Sequence, residues 1–353
     1  MRRDGATSLD PLTGSGRRRT LDLRASVEQA AAFRPHPLAV GGHRQTLLGY
    51  WQRRFLKWPL PTEDMIVDAG DGVRLLLRTS WQPGIREGRP TLVLVHGLGS
   101  SDQATYALAT GRFAWERGWH VVRMNMRGAG DAEALCPRLY NAGVDGDLVA
   151  ILRAVARMTT RLAVVGFSLG GNLALLALGR RAGDLPRGLI GAVAVSPPID
   201  LAASAEALER PGNRFYHRWF MRGLCNGYVR RQRLSPDLYE AGRERNLRTI
   251  RQFDDAITAP YGGYRDAADY YFQSSAARYL SGVDRPALIL TAADDPMVPA
   301  GSVASWELPP TVSREVVFTG GHMGFVGPTK APGRFWAAER AVAFLEGHLQ
   351  AAT

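Results

Sequence analysis

Residues 162–171 read LAVVGFSLGG, a short apolar strand that runs into the sequence Gly-Phe-Ser-Leu-Gly at residues 166–170. An apolar stretch with helical spacing follows at once. A serine between two glycines at a strand-to-helix turn is typical of a nucleophile elbow. The flanking glycines are needed because the turn strains the central residue, and a Cβ on either side would collide with the neighbouring chain. The pattern therefore predicts that Ser168 projects its hydroxyl from the end of a strand.

A serine hydroxyl is a weak nucleophile until a base removes its proton, so the chain must also supply a histidine and a carboxylate. Behind a nucleophile elbow these partners follow in the order serine, acid, histidine, each after a later strand. His322 fits because it lies in a glycine-rich loop directly after the predicted strand 314–319. The predicted strand 286–292 runs into Asp294 and Asp295, either of which could orient the histidine.

A loop that could hold a negative charge follows the predicted strand 91–95 and reads His-Gly-Leu-Gly at residues 96–99. Acyl transfer needs two backbone N–H groups aimed at the developing oxyanion. The expected donors are the amides of Leu98 and of Leu169, the residue after the serine. His96 precedes the nucleophile in chain order, so we expect it to anchor this loop by hydrogen bonds rather than to act as the base.

The remaining chain alternates strands and helices after an opening antiparallel hairpin over residues 65–78. Such alternation is typical of a largely parallel sheet that is covered by helices on both faces. The predicted strands are 91–95, 119–125, 161–166, 189–196, 286–292 and 314–319, and the predicted helices are about 102–116, 145–158, 169–181 and 334–349.

Several further stretches of the sequence indicate which group of proteins this chain resembles. They are Phe33-Arg-Pro35, Gly42-His43-Arg44-Gln45-Thr46, Asn125-Met-Arg127-Gly128, Leu139-Tyr140-Asn-Ala-Gly143, Gln252-Phe253-Asp254, Asp269-Tyr-Tyr271 and Asp294-Asp295-Pro296. With the elbow, these stretches resemble the α/β-hydrolase superfamily and, within it, the YheT-type branch of type-4 α/β hydrolases. The resemblance implies an α/β-hydrolase domain over residues 33–353 with an inserted helical lid over residues 201–275. Residues 1–32 would then form a disordered or loosely attached N-terminal arm.

The resemblance also implies a chemistry. Members of the branch include carboxylesterases, ester synthases for medium-chain fatty acids and lipases that act on glycerolipids. The family pattern places Val-Pro two residues after the acid, which favours Asp295 over Asp294 as the partner of His322. We therefore expect a serine hydrolase that cleaves short- to medium-chain acyl esters or glycerolipids through an acyl-enzyme on Ser168. The alternatives are an acyltransferase or ester synthase with the same triad, and a non-catalytic binding protein on this fold.

The insert over residues 201–275 breaks the alternation of strands and helices and holds many of the aromatic residues. It lies between the strand that ends near Ser196 and the strand that leads to Asp295, where this fold carries a lid. The segment is therefore expected to shape the substrate pocket, while any single ring is expected to pack inside the segment.

Composition excludes several classes of protein. Two cysteines, Cys136 and Cys225, cannot build a disulfide framework and lack a metal-binding spacing. The chain has no dinucleotide fingerprint or phosphate loop. We therefore expect no cofactor, no metal and no nucleotide. No apolar stretch follows the N-terminal residues, so a cytoplasmic location is expected.

The formal net charge is +11, and only two of the 44 basic residues, Lys57 and Lys330, are lysines. No nucleic-acid-binding motif accompanies this charge, so we expect no nucleic-acid partner. The densest basic zone, residues 230–251, is either a solvated surface or a contact with an anionic membrane surface. The expected substrate is a small-molecule or lipid ester, and the sequence leaves the oligomeric state open.

Overall fold

The computed structural model describes residues 33–351, and the predicted N-terminal arm, residues 1–32, lies outside the described residues. Within the described range, eight strands form one sheet in the order β1-β2-β4-β3-β5-β6-β7-β8. The strands are β1 (Glu63–Asp68), β2 (Arg74–Ser80), β3 (Thr91–Val95), β4 (His120–Met124), β5 (Leu162–Phe167), β6 (Leu189–Val195), β7 (Ala287–Ala292) and β8 (Val312–Val317).

The sheet is mostly parallel, which confirms the predicted fold class. Strand β2 pairs antiparallel with both β1 and β4, and every pairing from β4 to β8 is parallel. Val95 at the end of β3 lies opposite Gly166 at the end of β5. Ala292 of β7 lies opposite Val317 of β8. The carboxyl ends of these strands therefore share one edge of the sheet, where open α/β sheets bind their ligands.

The central strands are buried along their whole length because helices cover both faces of the sheet. One hydrophobic cluster packs the helices at residues 145–155 and 169–180 against one face, and a second packs those at residues 105–116 and 336–351 against the other. The helices outside the β6–β7 connection are α1 (Gly42–Arg53), α2 (Thr105–Glu116), α3 (Asp145–Val155), α4 (Leu169–Arg180), α10 (Ala300–Ala304) and α11 (Trp336–Ala351).

The connection from β6 to β7, residues 201–282, contains helices and no strand, and we call it the cap segment. Its elements are α5 (Leu201–Glu209), a 3₁₀ turn (Pro211–Asn213), α6 (Arg214–Leu234), α7 (Ile250–Phe253), a π-helical turn (Asp254–Thr258), α8 (Ala259–Gly262), α9 (Ala267–Ser274) and a 3₁₀ stretch (Ala276–Gly282). A third hydrophobic cluster, rich in tyrosine, joins these elements to Leu169. Most rings pack inside the segment, whereas Phe215 and Trp219 are exposed.

Helix α1 is absent from the sequence-based assignment, and its packing explains why. The buried residues of this helix are Gln45, Thr46, Gly49 and Arg53. A buried helix face is usually recognised in a sequence by apolar residues that repeat along it and pack into a hydrophobic core. The buried face of α1 is instead polar, so an apolar repeat does not mark it.

The structure refines the expectation for the basic zone at residues 230–251. Arg231, within the basic zone expected to be a solvated or lipid-contacting surface, is buried and donates to the carbonyls of Glu133, Cys136 and Gly128. Both cysteines, Cys136 and Cys225, are free thiols.

In the part of the chain that the structure describes, no helix is long and apolar enough to cross a membrane.

Substitution of two helical glycines tests the packing of α4 on the cap segment. A Cβ at Gly347 in α11 would have no atom within 4 Å, whereas a Cβ at Gly179 in α4 would lie 2.1 Å from the carbonyl oxygen of Tyr279. We expect Gly347→Ala to raise the free energy of unfolding by about 0.5–1 kcal/mol because glycine is a poor helix former. Gly179→Ala should lower the free energy of unfolding by about 1–3 kcal/mol through overpacking. Urea unfolding followed by circular dichroism measures both, and equal effects of the two changes would contradict the packing of α4 on the cap segment.

Candidate active site

The backbone at Ser168 is held in a strained conformation between β5 and α4. Its φ is 50° and its ψ is −120°, a region that favours glycine. A Cβ at Gly166 would lie 2.2 Å from the carbonyl oxygen of Gly170, and one at Gly170 would lie 2.3 Å from that of Val95. Both flanking glycines are therefore required for β5, α4 and β3 to meet at this turn, as the nucleophile elbow predicts.

The structure brings Ser168, His322 and Asp295 together in a hydrogen-bonded line. The Nε2 atom of His322 lies 3.0 Å from Ser168 Oγ, and its Nδ1 atom lies 2.9 Å from Asp295 Oδ2. An ionised carboxylate only accepts hydrogen bonds, so Nδ1 carries the proton and Nε2 offers its lone pair to the serine hydroxyl. This is the arrangement in which a histidine can remove the proton of a serine.

The two adjacent aspartates have separate partners. Asp295 Oδ1 accepts hydrogen bonds from the amides of Met297 at 2.8 Å and Val298 at 3.0 Å, which fixes the carboxylate that faces His322. Asp294 Oδ1 accepts from the amides at residues 320 and 321, both at 2.9 Å. Asp294 therefore fastens the loop that carries His322, while Asp295 contacts the imidazole itself.

The amides predicted to hold the oxyanion belong to Leu98 and Leu169. Among the described residues, no acceptor takes a hydrogen bond from the amide of Leu98 or of Leu169. Both residues line the same cavity as Ser168. Free backbone donors at a buried edge are what the negative oxygen of a tetrahedral intermediate requires.

Two tyrosines that the sequence reasoning missed hold this loop on either side of Leu98. The amide of Gly97 donates to the hydroxyl of Tyr106 at 2.9 Å, and the amide of Gly99 donates to the hydroxyl of Tyr140 at 2.7 Å. Burial raises the pKa of Tyr140 to about 12, so its hydroxyl stays protonated. Tyr140 belongs to the Leu-Tyr-Asn-Ala-Gly stretch at residues 139–143. This stretch is part of the resemblance to the YheT-type branch, so it was the sequence feature that could have pointed to Tyr140.

His96 also anchors this loop, through both of its ring nitrogens, and remains neutral. Its Nε2 atom accepts from the amide of Met126 at 3.1 Å, so the proton sits on Nδ1, which donates to the carbonyl of Gly97 at 2.8 Å. Burial lowers the pKa of His96 to about 4. A histidine that is occupied at both nitrogens and uncharged near neutral pH fits the anchoring role that we expected.

Helix α1 holds the loop that carries His322. Thr46 Oγ1 accepts from the amide of His322 at 2.9 Å. Gln45 makes a two-way pair with the backbone of Val326, at 2.7 Å through its Oε1 and 3.2 Å through its Nε2. Gln45 and Thr46 come from the Gly-His-Arg-Gln-Thr stretch at residues 42–46, so the branch motif supports the histidine loop.

A buried arginine completes this support. Arg53 is 2% exposed and donates to the carbonyls of Met323 at 2.5 Å and Gly324 at 3.0 Å. Its guanidinium also lies over the ring of Phe335, 4.5 Å from the ring centroid. Burial lowers the pKa of Arg53 to about 9. Because Met323 and Phe325 adopt positive φ angles of 61° and 43°, this part of the loop needs such external bonds to keep its shape.

A cavity of about 730 Å³ opens on Ser168 and His322 beneath the cap segment. Asp254 also lines the cavity and accepts a hydrogen bond from the hydroxyl of Tyr271 at 2.7 Å. Burial raises the pKa of Asp254 to about 6. This cavity is large enough for a small-molecule ligand. Within residues 33–351, no group of three histidine, cysteine or acidic side chains is placed to hold a metal ion.

Several known proteins are similar in sequence to this chain over most of its length. The family described as the alpha/beta hydrolase fold matches residues 90–328. The candidate esterase YheT of Escherichia coli (strain K12) is 34% identical over 314 residues, which cover 88% of this chain and 91% of that protein. The phospholipase ABHD3 of Mus musculus is 30% identical over 243 residues, which cover 67% of this chain and 59% of that protein. This chain therefore spans about three fifths of the length of the phospholipase.

A solved structure has the same fold. The esterase Pf2001 of Pyrococcus furiosus aligns with a TM-score of 0.53 and 18% identity over 81% of this chain and 92% of that one. The relatives named as esterases and phospholipases indicate hydrolysis of esters in general. By its sequence and by its eight-stranded sheet, the chain belongs to the α/β hydrolase fold family and, within it, to the YheT-type branch.

Proposed function

We propose that this protein cleaves carboxylic esters through an acyl-enzyme formed on Ser168. The observation that carries the proposal is the hydrogen-bonded line from Asp295 through His322 to Ser168, with distances of 2.9 Å and 3.0 Å. These distances lie within the range needed for a proton to pass from a nucleophile to its base. The relatives of esterase type support the same chemistry.

The reaction would have two halves. His322 takes the proton of Ser168 as the hydroxyl oxygen attacks the ester carbonyl carbon, and the amides of Leu98 and Leu169 hold the oxyanion. Protonated His322, stabilised by Asp295, then gives its proton to the departing alcohol, which leaves an acyl group on the serine. In the second half, His322 removes a proton from water as the water oxygen attacks the acyl carbon. Protonated His322 then gives this proton to the serine oxygen as the bond between that oxygen and the acyl carbon breaks, which releases the acid and restores the serine.

The cap segment would serve as the lid over the substrate. Its α6 lines the cavity with Trp219 and Phe220, and the π-helical turn lines it with Asp254. An aromatic wall beside a few polar groups suits an acyl chain joined to a more polar alcohol. The substrate would thus be a short- to medium-chain acyl ester or a glycerolipid.

Removal of the nucleophile tests the central step. We expect Ser168→Ala to lower kcat on p-nitrophenyl esters by about 10⁴-fold or more while the protein stays folded. The exposed Ser313 on β8 gives a matched control, and Ser313→Ala should keep the wild-type rate. Labelling with a fluorophosphonate probe should disappear only in Ser168→Ala. A folded Ser168→Ala protein that keeps most of its esterase rate would disprove the proposal.

The two aspartates offer a matched pair of substitutions. Asp295→Asn should lower kcat by about 10³–10⁴-fold because an amide can no longer orient and stabilise the charged form of His322. Asp294→Asn should keep most of kcat and reduce thermal stability, since its carboxylate bonds to loop amides and not to the imidazole. Steady-state kinetics with circular dichroism melting curves separates these effects. The reverse ranking of kcat would assign the acid to Asp294.

The tyrosine beside the oxyanion loop should act on kcat. Tyr140→Phe removes the acceptor of the Gly99 amide at 2.7 Å and loosens the loop that presents Leu98. Loss of a hydrogen bond of about 1 kcal/mol corresponds to a fall in kcat of about fivefold to tenfold, with KM little changed. The exposed Tyr50 supplies the control, because Tyr50→Phe should leave kcat unaltered. An effect of Tyr140→Phe on KM alone would refute this role.

A further inference from the structure

Helix α1 and its flanks present large apolar side chains to solvent. The exposed members of this stretch are Leu38, Val40, Leu47, Tyr50, Trp51 and Phe55. Those on the helix recur at spacings of three and four residues and so share one face, opposite the polar face that holds the His322 loop. Phe55 is 69% exposed and packs edge-on to Trp51, with ring centroids 6.3 Å apart. Clustered exposed aromatics of this kind mark an interaction surface.

The charge of the same stretch has a single sign. Residues 33–62 contain no aspartate or glutamate, and their basic residues are Arg34, Arg44, Arg53, Arg54 and Lys57. Arg44 and Arg54 are exposed and form no ion pair with any described residue. The guanidinium of Arg54 lies over the ring of Phe55, 5.2 Å from the ring centroid. A helix with an aromatic face and unpaired arginines complements an apolar layer covered by negative charge.

The first turns of α6 carry a second group of exposed apolar and basic residues. Arg214, Arg218 and Arg222 are exposed at four-residue intervals, beside exposed Phe215 and Trp219, and α6 contains no acidic residue. Helices α1 and α6 are in contact through His43 and Tyr216, whose rings stack with nearly parallel planes and centroids 5.6 Å apart. Trp219 and Arg222 also line the cavity that holds Ser168. The exposed group on α6 therefore reaches the rim of the candidate active site.

We propose that this surface, formed by residues 38–55 and the first three turns of α6, binds the surface of an anionic phospholipid bilayer. Exposed aromatic and aliphatic side chains would enter the boundary between head groups and acyl chains, as in interfacial helices. The arginines would contact the acidic head groups, each adding about fivefold to the binding constant. The sequence alone offers residues 230–251 as the alternative membrane contact, whereas the exposed aromatic residues and arginines favour α1 and the start of α6. This binding is independent of the proposed ester hydrolysis and is measured without turnover.

Vesicle binding of the full chain tests the proposal. We expect co-sedimentation with phosphatidylcholine vesicles that contain phosphatidylserine, and weaker co-sedimentation with vesicles of phosphatidylcholine alone. The double variant Trp51→Ser with Phe55→Ser should bind at least about tenfold more weakly to both vesicles, since it loses the apolar contact. Arg44→Gln with Arg54→Gln should weaken binding to the anionic vesicles about 25-fold and leave binding to the neutral vesicles nearly unchanged, because Arg214, Arg218 and Arg222 retain the rest of the preference.

Matched controls come from elsewhere on the same chain. Ile66→Ser with Ile85→Ser removes two exposed apolar residues near the β1 side of the sheet, and Arg157→Gln with Arg187→Gln removes two exposed charges that have no ion pair among the described residues. Both control variants should bind vesicles as the wild type does. Absence of vesicle binding by the wild type, or equal losses in test and control variants, would overturn the proposal. A dimer that dissociates in Trp51→Ser with Phe55→Ser, without vesicle binding, would assign the surface to a second copy of the chain.

Discussion

The close approach of three backbone segments at the serine is the constraint on which the rest of this structure depends. Strand β5, helix α4 and the end of β3 meet at distances that leave no room for a Cβ at Gly166 or Gly170. Only this contact lets Ser168 keep a φ of 50° while its carbonyl accepts the first hydrogen bonds of α4. The strain is sustained because both faces of the sheet are buried and cannot relax around one turn. The hydroxyl and the amide of Leu169 are thereby aimed at one edge of the sheet.

The second half of the candidate site depends on support from distant parts of the chain. The loop with His322 contains two non-glycine residues with positive φ angles and bonds to side chains of α1, which precedes it by more than 250 residues. The loop before α2 is fastened in the same manner by Tyr106, Tyr140 and His96. Buried polar side chains that make several hydrogen bonds fix a geometry more tightly than apolar packing, because any shift leaves a donor or acceptor unpaired. This explains why polar residues occupy the inner face of α1.

One helix then connects two properties of the molecule. The inner face of α1 holds the His322 loop, and its outer face exposes the aromatic residues and arginines of the proposed bilayer-binding surface. Contact of the outer face with a lipid layer would place the cavity rim, at Trp219, beside that layer. A glycerolipid could then reach Ser168 directly from the lipid layer, which avoids the free-energy cost of exposing its acyl chains to water.

The sequence by itself determined the central strands, the serine turn and the position of His322, since each depends on local rules. Buried parallel strands read as continuous apolar runs, and the turn needs glycines at fixed positions. The residues alone left Asp294 and Asp295 open, and the family pattern favoured Asp295. The tertiary structure decided what each carboxylate contacts, the existence and polar packing of α1, and the roles of Tyr140 and Arg53. These features rest on hydrogen bonds between segments far apart in the chain, and such contacts leave no periodic signal in the sequence.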